Sequence, residues 1–232
     1  MFWFLLSCTL GYQQEEQLTT ISLEQTQAAY NYNFSKVIKS SVRIAGLNSE
    51  LEEAGHGSGN YFKIGQNRFI LSAAHLIDAE TVLYAVDGNR YVKLELMHVD
   101  SENDIAIFIP RQKLKNVNAV NYTTNKKENL QGVTVVYAGY PADLEMSIFN
   151  GMVSKCDASS FIMQSFALPG SSGSVVFDNS GKVVGVLSAV KVGFTGVSPF
   201  PQMYPSLVYV SRLTEYSRAS IKKRIALWKN LK

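Results

Sequence analysis

From Ser40 onward, short apolar runs recur along the chain, each bounded by Gly, Asn, Asp or Pro. They read SSVRIAG, NYFKIG, RFILSAAHLI, TVLYAVDG, YVKLELMHVD and DIAIFIP, then VTVVYAGYP, EMSIFNGMVSKCDA, SFIMQS, SGSVVFDNSG, KVVGVLSAVKVG and SLVYVSRL. Runs of this length, rich in Val, Ile, Phe and Tyr and separated by turn-forming residues, are the pattern of strands joined by hairpins. Asp87-Gly88-Asn89 and Asp178-Asn179-Ser180-Gly181 supply the turn chemistry between two such pairs. No long amphipathic helix interrupts the series, which excludes the α/β classes. The order predicts an all-β fold, two six-stranded antiparallel barrels with a C-terminal helix.

The polar stretch NYTTNKKENLQG separates six strand candidates from six more. It places a first barrel over residues 36–125 and a second over 126–210. Beyond it, Leu213, Tyr216, Ile221, Ile225 and Trp228 recur at near-helical spacing, so residues 211–232 are read as a helix. Residues 1–35 are an apolar, signal-like start followed by a polar Gln/Glu-rich linker.

Length and composition fit this picture without sharpening it. At 232 residues the chain is one large unit or two small ones, and 46% apolar with 18% charged residues is ordinary for a globular protein. The net charge of +3 is too small to imply a nucleic-acid partner. The charge is uneven, however. Arg212, Arg218, Lys222, Lys223, Arg224, Lys229 and Lys232 face only Glu215 in the last segment. That segment is a solvated basic helix face or a contact for an anionic membrane.

Cys8 and Cys156 lie far apart and match no metal-ligand spacing, so neither a metal site nor a disulfide framework is expected. The start MFWFLLSC is too short to span a bilayer. Leu5-Leu6-Ser7-Cys8 resembles the lipobox of bacterial lipoproteins, which would make the protein exported and lipid-anchored. A cytoplasmic or virus-associated location is the alternative.

Three segments carry candidate chemistry. In Leu168-Pro169-Gly170-Ser171-Ser172-Gly173-Ser174, glycines on either side of Ser172 allow a tight bend. The N–H groups of Gly170 and Ser172 can then converge on one oxygen, as a serine nucleophile requires of its oxyanion site. Ile70-Leu71-Ser72-Ala73-Ala74-His75 ends an apolar strand in small residues and an imidazole that can serve as base. Asp104 opens the apolar run Ile105-Ala106-Ile107-Phe108, where burial would demand a partner. Each alone also reads as an ordinary turn or packing residue. His56, in a Gly-rich loop, and His98, at a strand end, are read as surface or packing residues. Ser171 and Ser174 sit at the wrong offsets for the nucleophile.

Taken in order, His75, Asp104 and Ser172 resemble the triad of the chymotrypsin-like (trypsin-like) serine peptidases. The resemblance is closest to the HtrA-type protease domain without PDZ, and it covers about residues 40 to 210. Further elements that match are Gly57-Ser58-Gly59, the pair Asp100 and Asp104, Gly139-Tyr140-Pro141, Gly151-Met152-Val153-Ser154 and Gly185-Val186-Leu187-Ser188. The resemblance implies that His75 is the general base, that Asp104 orients it, and that Gly170 and Ser172 form the oxyanion hole. The activity implied is endopeptidase, on a polypeptide substrate, with no cofactor.

The resemblance also places the pocket for the residue before the scissile bond at Phe166, Ala167, Leu168, Ser188, Ala189 and Val190. Phe166 stands where trypsin-like enzymes carry an aspartate, and Val190 where roomy pockets have glycine. A small or medium apolar preference follows. Arg43-Ile44-Ala45-Gly46 superficially resembles a zymogen cleavage site, but Ser171 replaces the aspartate such activation needs, so no such processing is expected. A PDZ module is not expected with the sequence ending at Lys232. The rival readings are a catalytically silent peptide-binding module of the same fold, a dedicated viral or self-processing protease, and a non-enzymatic β-barrel module.

Overall fold

Several strands of this chain carry apolar side chains on both faces, and their positions decide the architecture. A strand that covers only one barrel interior alternates buried and exposed residues, as Ser147–Cys156 does. By contrast, Ile105–Pro110 is buried along nearly its whole length. Such a strand needs a second apolar surface outside its own barrel.

The computed structural model describes residues 34–142, 144–193 and 202–228. The apolar start with Cys8 and most of the polar linker lie outside the described residues, as does the side chain of Tyr216. A helical stretch at residues 34–40 (α1) leads into the first barrel. Its strands are β1 (Ser41–Leu47), β2 (Glu53–Ile64), β3 (Asn67–Ser72), β4 (Val82–Asp87), β5 (Arg90–Asp100) and β6 (Ile105–Pro110). They run in the order β1-β4-β5-β6-β3-β2 and close through the β1–β2 pairing. A two-residue strand, β7 (Val120–Asn121), adds to β2 in parallel.

The second barrel comprises β8 (Thr134–Gly139), β9 (Ser147–Cys156), β10 (Ser160–Gln164), β11 (Val175–Asp178), β12 (Val183–Gly193) and β13 (Gln202–Arg212). It closes in the order β10-β13-β12-β11-β8-β9. Helix α2 (Glu215–Trp228) follows. The fold is therefore the expected pair of six-stranded antiparallel barrels with a C-terminal helix.

Burial resolves into three cores. Val42, Ile44, Tyr61, Ile70, Ala106 and Phe108 fill the first barrel. Val135, Tyr137, Val153, Phe161, Val176 and Leu187 fill the second. The third core lies between them. It takes the opposite faces of the same strands: Phe62, Leu71 and Ile107 from the first barrel, Val136, Phe177 and Val186 from the second. Val37 of α1 and Ile221 and Ile225 of α2 complete it. Each such isoleucine contributes roughly 1.5–3 kcal/mol by leaving water, so the helix is fixed by its two apolar anchors while its lysines stay outside.

One element departs from expectation. His56, expected in a Gly-rich loop, lies in the first half of β2, which pairs with β1, His56 opposite Ala45 and Gly59 opposite Val42. Gly57 and Gly59 serve close packing here. A Cβ at Gly59 would lie 2.9 Å from Ile70 Cγ2 and 3.0 Å from the Leu71 carbonyl oxygen. Arg43-Ile44-Ala45-Gly46 lies in β1, paired on one side with β2 and on the other with β4.

Candidate active site

The first barrel presents an imidazole and a carboxylate at adjacent strand ends. β3 stops at Ser72, and Ala74–Leu76 make a single 3-10 turn that carries His75 out of the sheet. Asp104 stands at the head of β6 with φ of +50°, a left-handed conformation that an aspartate tolerates better than most residues. Asp100 fixes the turn before it, accepting hydrogen bonds from the backbone and side-chain amides of Asn103.

The two side chains meet. His75 Nδ1 lies 2.8 Å from Asp104 Oδ2, and the His75 backbone N–H donates to Oδ1 at 2.8 Å. A carboxylate accepts only, so Nδ1 carries the proton and Nε2 presents its lone pair. The Ser188 hydroxyl also donates to Asp104 Oδ2. Burial by itself would push the Asp104 carboxyl up. The bonds from the His75 ring, Ser188 and the His75 N–H outweigh it and hold the group below the ordinary carboxylate value, so it stays ionised.

The second barrel presents the glycine turn. Gly170 and Gly173 have φ of +91° and +87°, conformations that favour glycine. Backbone bonds tie the turn internally and to its surroundings: Ser171 N–H to Leu168 C=O, Ser174 N–H to Ser171 C=O, and Gly173 N–H to Leu187 C=O. Among the described residues, the N–H groups of Gly170 and Ser172 donate to no acceptor. The Pro169 carbonyl accepts from Ala142 N–H at 2.6 Å. Because the C=O and N–H of one peptide unit point oppositely, that bond aims the Gly170 N–H away from Ala142.

Contacts between the barrels bring the turn to the imidazole. Ser58 N–H in β2 donates to the Ser172 carbonyl at 2.8 Å. Gly173 presses so close that a Cβ would lie 2.2 Å from both the Ser58 carbonyl oxygen and Ser72 Oγ, and 3.1 Å from Ala73 N, two residues before His75. Ser58 Oγ donates to the Gly170 carbonyl at 2.7 Å and accepts from Tyr140 N–H at 2.9 Å. Ser172 is half-buried, and neither its hydroxyl nor His75 Nε2 has a hydrogen-bond partner among the described residues. His75 and Asp104 are thus joined directly. Ser172 sits on the facing turn, its carbonyl held by Ser58 N–H and the glycine after it packed against Ala73.

With this geometry in hand, comparison with known proteins is informative. A model of the trypsin-like peptidase domain matches residues 57–186, from just before His75 to just past Ser172. The chain belongs to the trypsin-like peptidase domain family. Among relatives is a "Probable periplasmic serine endoprotease DegP-like" of Halomonas elongata, 29% identical over 153 residues that make up 60% of this chain and 31% of that protein. A protein of the same description from Pseudomonas savastanoi pv. phaseolicola is 30% identical over 158 residues, with 60% and 31% covered. The chain thus spans about a third of the length of these relatives. A serine endoprotease from Yersinia pestis shares the fold with a TM-score of 0.65 at 18% identity, covering 85% of this chain and 66% of that one.

The residues expected to shape a trypsin-like specificity pocket are distributed unevenly. Phe166 is exposed on one side and packs its ring at 6.0 Å from Phe149, while its carbonyl accepts from the Tyr137 hydroxyl. Ala167 is fully buried in the second barrel's core, Leu168 is half-buried, Ala189 is exposed and Val190 packs against that core. Ser188 sits at a β-bulge between Leu187 and Ala189, and its hydroxyl is directed to Asp104. The resemblance assigns Ser188 to the pocket, and its bond to Asp104 is a further contact that the resemblance did not bring out.

His98 follows the bulge after Leu96 in β5 and is partly buried. Burial, followed by Arg224 of α2, pushes its imidazole below the usual value despite Asp100. His56 differs. It belongs to β2, and its Nε2 lies 3.1 Å from the Tyr140 carbonyl. Among the described residues no group of three metal-ligating side chains converges, and no helix is long and apolar enough to cross a membrane.

Proposed function

We propose that the protein is a serine endopeptidase in which Ser172, His75 and Asp104 form the triad and the N–H groups of Gly170 and Ser172 form the oxyanion hole. The observation that supports this reading is a carboxylate-held imidazole from one barrel and, from the other, a glycine turn in which the N–H groups of Gly170 and Ser172 have no acceptor among the described residues. Family membership and the names of the relatives point the same way.

In the reaction, His75 Nε2 takes the proton from Ser172 Oγ as that oxygen attacks the scissile carbonyl. The oxyanion formed accepts from Gly170 and Ser172, each donor worth roughly 3–4 kcal/mol in comparable sites. His75 then gives its Nε2 proton to the leaving amine, and the acyl-enzyme is hydrolysed by water with His75 again as base. Asp104 holds the imidazole tautomer throughout and offsets the charge of its protonated form.

The Phe149–Phe166 contact and the branched Val190 support a small or medium apolar residue before the scissile bond. A cavity of about 210 Å³ lined by His56, Gly57 and Leu76 adjoins His75. The periplasmic naming of the relatives supports an exported protein.

Labelling of Ser172 by a fluorophosphonate, and digestion of casein, test the assignment against Ser172→Ala. Loss of the triad serine lowers turnover by roughly a millionfold in comparable enzymes. Equal casein cleavage by both proteins would end the triad assignment. A folded protein that is not labelled would favour a silent, peptide-binding module.

A further inference from the structure

The mechanism leaves His56 unused, yet its surroundings are those of a working part. Its Nε2 reaches the Tyr140 carbonyl at 3.1 Å, an acceptor, so that nitrogen carries the proton. Its Nδ1 lies 3.7 Å from Glu53 Oε1, and Glu53 is held in turn by both terminal nitrogens of Arg43. The ring is largely buried, 16% exposed. It is also in contact with Gly170: a Cβ at that residue would lie 2.5 Å from His56 Nε2 and 2.4 Å from the Tyr140 carbonyl oxygen.

Resting on the peptidase reading, we propose that His56 is a positioning residue for the oxyanion hole. The Pro169–Gly170 peptide bears the first oxyanion N–H, and its orientation depends on the segment Gly139–Ala142, whose Ala142 N–H anchors the Pro169 carbonyl. Two groups of β2 clamp that segment. Ser58 Oγ accepts from Tyr140 N–H, and His56 Nε2–H donates to Tyr140 C=O. The ring also backs Gly170 directly, so close that a Cβ there would lie 2.5 Å from Nε2. Glu53, itself bound by Arg43, lies 3.7 Å from Nδ1 on the far side of the ring. His75 and Asp78 are the other titratable groups on the cavity that His56 lines.

The second-order rate of Ser172 labelling by a fluorophosphonate reads this directly, since its phosphoryl oxygen enters the same hole. His56→Asn cannot reach Tyr140 and is expected to label roughly tenfold or more slowly than wild type, with an unchanged melting midpoint. His56→Gln, whose amide nitrogen matches Nε2, is expected to restore the rate to within about threefold, an allowance for imperfect geometry. For a peptide substrate, the Asn variant loses kcat with KM nearly constant, which a merely structural role would not produce. A wild-type rate in His56→Asn overturns the proposal while leaving the peptidase reading intact. Failure of the wild type to label overturns both. Nitrogen-15 NMR of the wild-type imidazole gives a check independent of any variant's folding: a proton on Nε2 is expected, and a neutral ring protonated only at Nδ1 overturns the clamp.

Discussion

The two barrels share one architecture but contribute to the site by different physics. The first offers charge: an ionised carboxylate and an imidazole, placed at strand ends and joined to each other. The second offers shape: a turn without a charged side chain, whose value lies in two glycine conformations and in backbone N–H groups left open. Each is braced from across the gap. Ser188 of the second barrel donates to Asp104 of the first, and Ser58 of the first donates to Gly170 of the second. Neither half is complete alone, and relative placement of the barrels is itself a catalytic variable.

The comparison can be broken most forcefully at its charged half. Asp104→Asn leaves the shape but presents an amide that favours the wrong His75 tautomer. We expect casein turnover to fall roughly ten-thousandfold, and a loss under tenfold would mean His75 is oriented by something else. Next comes the shaped half. Gly173→Ala forces a Cβ against Ser58 and Ser72 in a left-handed conformation. A destabilisation of about 3 kcal/mol, within the range for overpacking, is expected in denaturant titration, with labelling of Ser172 lost alongside.

The braces should separate the two contributions. Ser188→Ala and Ser58→Ala each remove hydrogen bonds worth about 1–3 kcal/mol. Ser188→Ala is expected to shift the downfield His75 Nδ1–H resonance, whereas Ser58→Ala leaves that signal in place and slows labelling. If both variants move the same signal, the division into a charged and a shaped half is wrong.

The smallest effect is that of pH. Burial would raise the Asp87 carboxyl, but the N–H groups of Lys115 and Asn116 and the Arg90 side chain hold it below its usual value, as His75 and Ser188 do for Asp104. Depressed carboxyls contribute stability that is complete above their unfolded value, about 3.9, and is lost as pH falls through the lower folded one. The melting midpoint should therefore decline below about pH 4, and less steeply in Asp87→Asn. An equal slope in that variant would remove Asp87 from the account.

Most of the fold was legible because apolar runs and turn residues mark strands directly, and the order of His75, Asp104 and Ser172 along the chain carried the site. What escaped were features set by neighbours. The glycines before Asn60 looked like a loop because nothing local shows that β1 pairs along that stretch or that Ile44, Ile70 and Leu71 crowd Gly59. Strand β7, two residues long, has no signal of its own. The aim of Ser188 depends on a bulge, and the contact of His56 on a segment more than eighty positions away.

The core between the barrels has a further consequence. Strands from both halves and the closing helix α2 bury apolar side chains in the same space, so neither half can melt and leave the other with a finished surface. Calorimetry on such a molecule should record a single heat-absorption peak with matching van't Hoff and measured enthalpies. A fragment ending before Glu215 would expose the place of Ile221 and Ile225 to water and be prone to self-association.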